Sequence, residues 1–497
     1  MDQNLTPLID AISAFEARHV SYFNIPAHRG ACGAGERARS LLGDAAFRAD
    51  LTETDGTDDL HAATGPILEA ERLAADLFGS DECRFLVNGT TCGNEAMILA
   101  SVRDGEKILI PRSAHKSAWM GLVLSGARPV WMNPPLIVSP GGNAISGPIP
   151  PEEIEEALKA DPEIRAVFLT SPTYYGICSS VRDIADVCHK RDCVLLVDEA
   201  HGTHLYFHEA FPGGAVSAGA DLVAQSMHKT GGSFTQSSLL HRCGTRISPD
   251  RLSDCLKLVQ STSPSYLLMA SLDGARHELA VRGREKMDRA LHLAREAEER
   301  LSAIGGVRVM RSGGVRGTVS ERSGAIVKDP LRLVFSAGEL GIGGIELQQR
   351  LFRRNVTTEM ADPGNIVAVI TDGNTMYDIL RLAEGVRECT KDGSPSGSSD
   401  PAGFRLSGAR MDLPPLPEMA MSPREAFSAE TETVFLDQAA GKIAGEMIAP
   451  YPPGIPAICP GERITEEMIR YLRNLKQNGI SFHGPADRTI SRIRVVS

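Results

Sequence analysis

Between residues 84 and 225 short apolar runs alternate with helical segments, and this alternation limits the possible folds more than any other feature of the chain. The runs are Arg84–Val87, Lys107–Ile110, Pro129–Met132, Ala166–Thr170, Val194–Val197 and Leu222–Gln225. Asn94–Val102, Ala118–Ser125, Pro151–Ala160 and Val181–Arg191 read as the helices that separate them. Strands that are apolar along both faces are buried on both faces, and strand–helix alternation is how a chain builds a parallel sheet. The expected class is therefore α/β with a mostly parallel sheet.

Outside that region the pattern changes. The first 25 residues predict an amphipathic helix through Leu8, Ile9, Ile12 and Phe15. Pro66–Leu77 predicts another, with Pro66 at a first helical position where its missing N–H costs nothing. Leu252–Val259 and Ser271–Ile304 read as helices, the second charged along one face. Strands at Leu331–Val334 and Ile366–Ile370, with a helix at Gly344–Arg354 between them, suggest a smaller α+β unit. Residues 391–417 turn to Gly, Ser and Pro and read as a linker. The expected organisation is an N-terminal arm (1–25), a large domain (26–300), a small α+β domain (301–390), the linker, and a C-terminal α+β domain (418–497).

Charge and composition narrow the function. With 52 Lys+Arg against 63 Asp+Glu the formal net charge is −11, which argues against nucleic-acid or anionic-membrane binding, since both need a basic footprint. No run of about 20 apolar residues predicts a membrane span. Asp2 and Asp10 occupy the stretch where a signal peptide would carry its basic region. The ten cysteines are scattered singly, without a CxxC pair, so neither a zinc site nor a disulfide framework is expected. A reducing cytoplasm suits them best.

Three short motifs carry chemistry. Asn88–Glu95 follows a strand and opens a helix, and N–H groups and hydroxyls there (Gly89, Thr90, Thr91) suit a phosphate; an ordinary capping turn is the plain alternative. Val194–Gly202 ends an apolar strand on Asp198, with His201 three residues on. Ligands of open α/β sheets bind at the carboxyl ends of strands, and a carboxylate there can hold a pyridinium proton. Asp198 is equally a helix cap and His201 a structural histidine, while a metal site would need further ligands at matching spacing. Ser226–Gly232 places Lys229 beside His228 in a small-residue loop. A Schiff-base lysine must approach a carbonyl cofactor and lose its proton, although a surface loop lysine has the same local pattern. Together the three supply a phosphate cradle, an acid for a ring nitrogen and an amine nucleophile, which is the set a pyridoxal phosphate enzyme needs.

With these motifs in place the chain resembles the fold-type-I ornithine/lysine/arginine decarboxylases, in their short bacterial form. The resemblance includes Pro26–Gly30, Asp58–His61, Pro111–Ser117, Ser171–Gly176 and the run from Ser226 to Ser238. It extends to Met421–Phe427, Tyr451–Pro456 and Pro460–Glu462 in the C-terminal region. Ala27 and Arg29 depart from the family's entry motif, which touches substrate range rather than chemistry.

The resemblance implies pyridoxal 5′-phosphate as cofactor and a basic amino acid as substrate, with arginine, giving agmatine, ahead of lysine and ornithine. It implies that Lys229 forms the Schiff base, Asp198 pairs with the pyridine nitrogen, His115 stacks on the ring and His201 lies on its other side. Gly89, Thr90, Thr91, Ser226 and His228 would surround the phosphate, and Lys229 or His228 would return a proton to the substrate. Thr262 would reach the phosphate of a partner subunit in a homodimer. Glu359 and Asp362 would meet the cationic end of the substrate. An aminotransferase is the competing reaction class, with Arg332 or Arg405 gripping a carboxylate, and a scaffold that has lost its chemistry is the non-enzyme alternative.

Overall fold

The computed structural model describes residues 1–311, 326–391, 414–451, 455–477 and 480–497. Most of the expected linker, together with Arg405 and Pro452–Gly454, lies outside the described residues. The chain forms two compact units, one from Met1–Ser101 and Asp192–Lys286, the other from Val102–Arg191 and Met287–Ser497. The framework strands in chain order are β1 (Glu82–Leu86), β2 (Lys107–Pro111), β3 (Arg128–Met132), β4 (Ile164–Thr170), β5 (Val194–Asp198), β6 (Leu222–Gln225) and β7 (Ser238–Arg242).

In the first unit the order is β1-β7-β6-β5. β5 and β6 run parallel, with Asp198 opposite Ala224. β7 is antiparallel to both of its neighbours, pairing Leu239 with Gln225 and Ser238 with Leu86. This strand therefore begins at the edge where β1, β5 and β6 end. All five residues of β5 are buried, as its apolar run predicts.

A core of Leu8, Ile12, Ile67, Phe78, Phe85 and Met227, among others, joins the N-terminal helix to this sheet. The N-terminal helix spans only Pro7–Ala17 of the 25 residues expected to be helical. It stops just before His19, which sits at φ +50°, a conformation a helix cannot accommodate. Its start is fixed from far along the chain: the Leu8 N–H donates to Asp273 at 3.0 Å, and Arg276 donates to the Gln3 carbonyl at 2.9 Å and to Asp273 at 2.7 Å. The run Asp58–His61 has a capping duty. The Asp58 carboxylate accepts the N–H groups of Gly65 (2.8 Å) and Ile67 (3.1 Å), satisfying the start of helix Pro66–Phe78.

In the second unit β2 lies between β4 and β3 and is parallel to both. A four-stranded antiparallel sheet follows, built on Arg332–Ser336 and Ile366–Val369. The C-terminal region has its own core, with Leu436, Ile458, Ile469, Leu472, Ile493 and Val495 buried together. Among the described residues no helix is long and apolar enough to cross a membrane.

Candidate active site

The first unit gathers most of the expected site at one sheet edge. Helix Gly89–Ser101 starts directly after β1, five residues before the start read from periodicity. Gly89 sits at φ +73°, where a side chain would be strained, so the strand can turn at once into the helix. Gly93 lets the helix lie against the sheet, since a Cβ there would come within 2.8 Å of Leu86 and 3.2 Å of Ala224. The helix N-terminus points its unpaired N–H groups and positive dipole end toward this edge.

Three hydroxyls meet there. Thr90 Oγ1 lies 2.7 Å from Ser226 Oγ and 3.0 Å from Ser238 Oγ, and all three residues are buried. Thr91, one position on, is exposed. Ser238 is absent from the set expected from sequence. No local pattern marks it, because the antiparallel register of β7 brings it to Thr90 from 148 residues away.

Asp198 ends β5 and is 3% exposed. Its Oδ2 accepts from Asn94 Nδ2 at 2.9 Å and its Oδ1 from the Ala200 N–H at 3.1 Å. A carboxylate offers about four lone-pair positions, so this one keeps capacity for a further donor. Asn94 is also absent from the expected set, although it lies one helical turn beyond Thr90 and the i, i+4 spacing is its signal. Next to Asp198, the Glu199 carboxylate is buried and accepts from Tyr206 Oη at 2.6 Å, Gln225 Nε2 at 2.8 Å and the Ala215 N–H at 2.7 Å. Burial pushes its pKa up to about 7 against the pull of those three donors. Glu199 thus anchors the turn that carries Asp198 and His201.

Lys229 stands on a single helical turn, Met227–Thr230. Met227 is fully buried and fixes the turn to the core, while His228 and Lys229 are half-buried. Lys229 Nζ lies 3.3 Å from His201 Nε2. His228 Nδ1 lies 2.9 Å from the Ser237 carbonyl. A carbonyl only accepts, so this nitrogen carries a proton. Burial lowers the His228 pKa, and the neighbouring Lys229 charge adds to the shift. Thr262 sits in an exposed loop whose base is fixed twice: Gln260 Oε1 accepts the Val87 N–H at 2.8 Å, and His61 Nε2 meets the Ser261 carbonyl at 2.8 Å.

His115, Glu359 and Asp362 belong to the second unit. His115 is the N-cap of helix Lys116–Ser125, with Nδ1 2.8 Å from Ser117 Oγ. Glu359 is exposed just before strand Met360–Ala361. Asp362 is 1% exposed and already committed. It accepts from Asn143 Nδ2 (2.7 Å), Tyr175 Oη (2.7 Å), the N–H groups of Gly364 (2.7 Å) and Asn365 (2.8 Å), and Asn365 Nδ2 (2.9 Å). Its lone pairs organise the loop around it, and Glu359 is the carboxylate of this segment left open to solvent. Arg332 is buried, with the charges of Asp329 and Glu359 acting on it.

The first-unit geometry fits a phosphorylated pyridine aldehyde. It offers a hydroxyl-lined helix N-terminus, a buried carboxylate with spare capacity and a lysine amine at one edge. Comparison with known proteins gives the family. Residues 6–378 match the family model "Orn/Lys/Arg decarboxylase, major domain", and residues 409–488 match "Orn/Lys/Arg decarboxylase, C-terminal domain". The arginine decarboxylase of Halalkalibacterium halodurans is 38% identical over 99% of this chain and 98% of its own length. The solved lysine decarboxylase A from Pseudomonas aeruginosa shares the fold, with a TM-score of 0.85 and 24% identity over 99% of this chain and 81% of that one. More distantly, serine palmitoyltransferase from S. paucimobilis, solved with bound PLP, aligns at a TM-score of 0.51 and 16% identity over 72% of this chain and 82% of that one. With both of its family domains matched across this length, the chain belongs to the Orn/Lys/Arg decarboxylase family.

Proposed function

We propose that the protein decarboxylates L-arginine to agmatine and CO2 with pyridoxal 5′-phosphate. The observation that carries the chemistry is the convergence of Lys229, Asp198 and the Thr90–Ser226–Ser238 hydroxyls on one sheet edge. The full-length similarity to an arginine decarboxylase supports the substrate. When bound, the cofactor supplies an electron sink for the bond to CO2. The chain supplies placement and protons. The three hydroxyls and the helix N-terminus would hold the phosphate, and Lys229 would hold the aldehyde group. Asp198 would keep the ring nitrogen protonated. His201 would adjoin the amine, and His115 would cover the ring. Lys229 Nζ would return the proton to the substrate Cα. His228 suits this less, because burial lowers its pKa and its Nδ1 is committed to the Ser237 carbonyl. Glu359 and Asp362 would meet the guanidinium end of the substrate.

The test is a panel of L-arginine, L-lysine and L-ornithine with amine and CO2 both measured. Arginine should exceed the others at least ~10-fold in kcat/KM, because an unfilled or wrongly filled polar pocket leaves charged groups unpaired. Preference for lysine or ornithine would overturn the substrate, and amine transfer without CO2 would overturn the reaction.

The same reading makes the enzyme a homodimer, with Thr262 reaching the partner's phosphate site; its exposed loop with a fixed base supports this. Thr262→Ala should weaken cofactor retention and dimerisation together by ~1–2 kcal/mol, one hydrogen bond to a charged group. Sedimentation with and without cofactor checks it, and a fully active monomer rules it out. All ten cysteines are free thiols, which supports a cytoplasmic location.

A further inference from the structure

The site above leaves the C-terminal motifs Met421–Phe427 and Pro460–Glu462 without a task. The first grips the helix that His115 caps, and the second grips Arg112, just ahead of it. At its far end, Arg424 Nε donates to the Val123 carbonyl at 2.9 Å, Nη2 donates to the Leu124 carbonyl, and Nη1 reaches Asp104 at 3.1 Å. The last carbonyls of a helix lack partners within it, and a cation there also complements the dipole. Midway along, the Trp119 ring meets Phe427 at 6.4 Å.

At the near end stands Arg112, three residues before His115 and 3% exposed. Its Nη1 lies 2.8 Å from Glu462 Oε1, and its Nη2 donates to Glu462 Oε2 at 3.0 Å and to the Ala457 carbonyl at 3.1 Å. Nη1 also reaches Cys459 Sγ at 3.0 Å, and the Trp131 ring covers the guanidinium at 5.1 Å. Glu462 is itself fully buried and accepts the Cys459 N–H at 2.7 Å. A buried ion pair is a poor stabiliser beside well-packed apolar side chains, but a two-pronged arginine–carboxylate pair fixes direction. The backbone leading into His115 is thus oriented by a residue 350 positions away.

We infer that the C-terminal region is a positioning clamp for His115, acting through Glu462 and Arg112 at one end of its helix and through Arg424 at the other. None of the three is a catalytic residue. The inference rests on the reading that His115 covers the cofactor ring.

The experiment compares the holoenzyme with Arg424→Ala, Arg424→Lys, the paired change Arg112→Met with Glu462→Leu, and His115→Ala. Each is measured for kcat, KM, Tm and the visible circular dichroism of the bound cofactor. Arg424→Ala removes a half-exposed side chain and leaves no buried charge, so it decides the matter even if the paired variant does not fold. In Arg424→Ala, kcat should fall about tenfold with KM within about twofold, since a small misplacement near the chemistry costs rate rather than binding. The dichroism should move toward that of His115→Ala, and Arg424→Lys should recover at least half of the lost rate. Unchanged kcat and dichroism, a loss confined to Tm, or a loss confined to KM would each overturn the clamp. If His115→Ala itself matches the parent in both readouts, the reading of His115 fails instead. A defective His115→Ala beside a normal Arg424→Ala sinks the clamp alone.

Discussion

Lys229→Ala should stop CO2 release, with kcat reduced at least ~10^4-fold, because the substitution removes both the group that holds the cofactor carbonyl and the group that returns the proton. The loss should not be one of folding. Met227 anchors the turn from below, and the turn's own backbone bonds, Lys229 N–H to the Ser226 carbonyl at 3.0 Å and Gly231 N–H to the Met227 carbonyl at 2.8 Å, need no lysine side chain. Tm measured without cofactor should therefore stay within a few degrees of the parent. A visible absorbance band that bleaches with borohydride should be present in the parent and absent in the variant. A variant that kept both the band and a near-normal rate would move the attachment point to another lysine.

Asp198→Asn should retain cofactor yet lose roughly 10^2–10^3-fold in kcat, the scale of removing one preorganised electrostatic partner from a buried site. The substitution is nearly isosteric, and Asn94, whose Nδ2 now donates to Asp198 Oδ2 at 2.9 Å, still faces a polar amide. The Ala200 N–H keeps an oxygen to bond. What disappears is the negative charge that makes a protonated ring nitrogen favourable. Cofactor titration and steady-state kinetics separate the two effects, and near-normal kcat with cofactor bound would remove Asp198 from the mechanism.

The parts of the site legible in the sequence are those whose signal is local. Asp198 closes a strand that is buried throughout, and the expected strand Val194–Val197 is one residue short of the observed one. Pro151–Ala160 and Leu222–Gln225 match their expected bounds because a proline start and an unbroken apolar run mark them. Lys229 is marked by its small-residue loop. Ser238 is not marked, because its contact with Thr90 depends on β7 running against β1 and β6, and no periodicity reveals strand direction. The partners of Asp362 are unmarked for a related reason, since only the folded chain brings Asn143 and Tyr175 onto it. The short helices Glu36–Leu42 and Asp44–Ala49 escape a reading by periodicity because neither buries a residue, leaving no apolar stripe to read.

The tether between the N-terminal helix and Asp273 and Arg276 has a bearing on synthesis. Leu8 leaves the ribosome early, but the side chains that seat its helix are added more than 260 residues later. At typical synthesis rates of ~5–20 residues per second that is a wait of about 15–50 s, during which Leu8, Ile12 and Phe15 have no completed surface to bury against. The first unit is further interrupted by residues 102–191, so its sheet cannot close until β5, β6 and β7 have followed. The nascent chain therefore carries an exposed apolar helix through more than half of its translation, and a chaperone that shields such segments has its longest opportunity at this N-terminal arm.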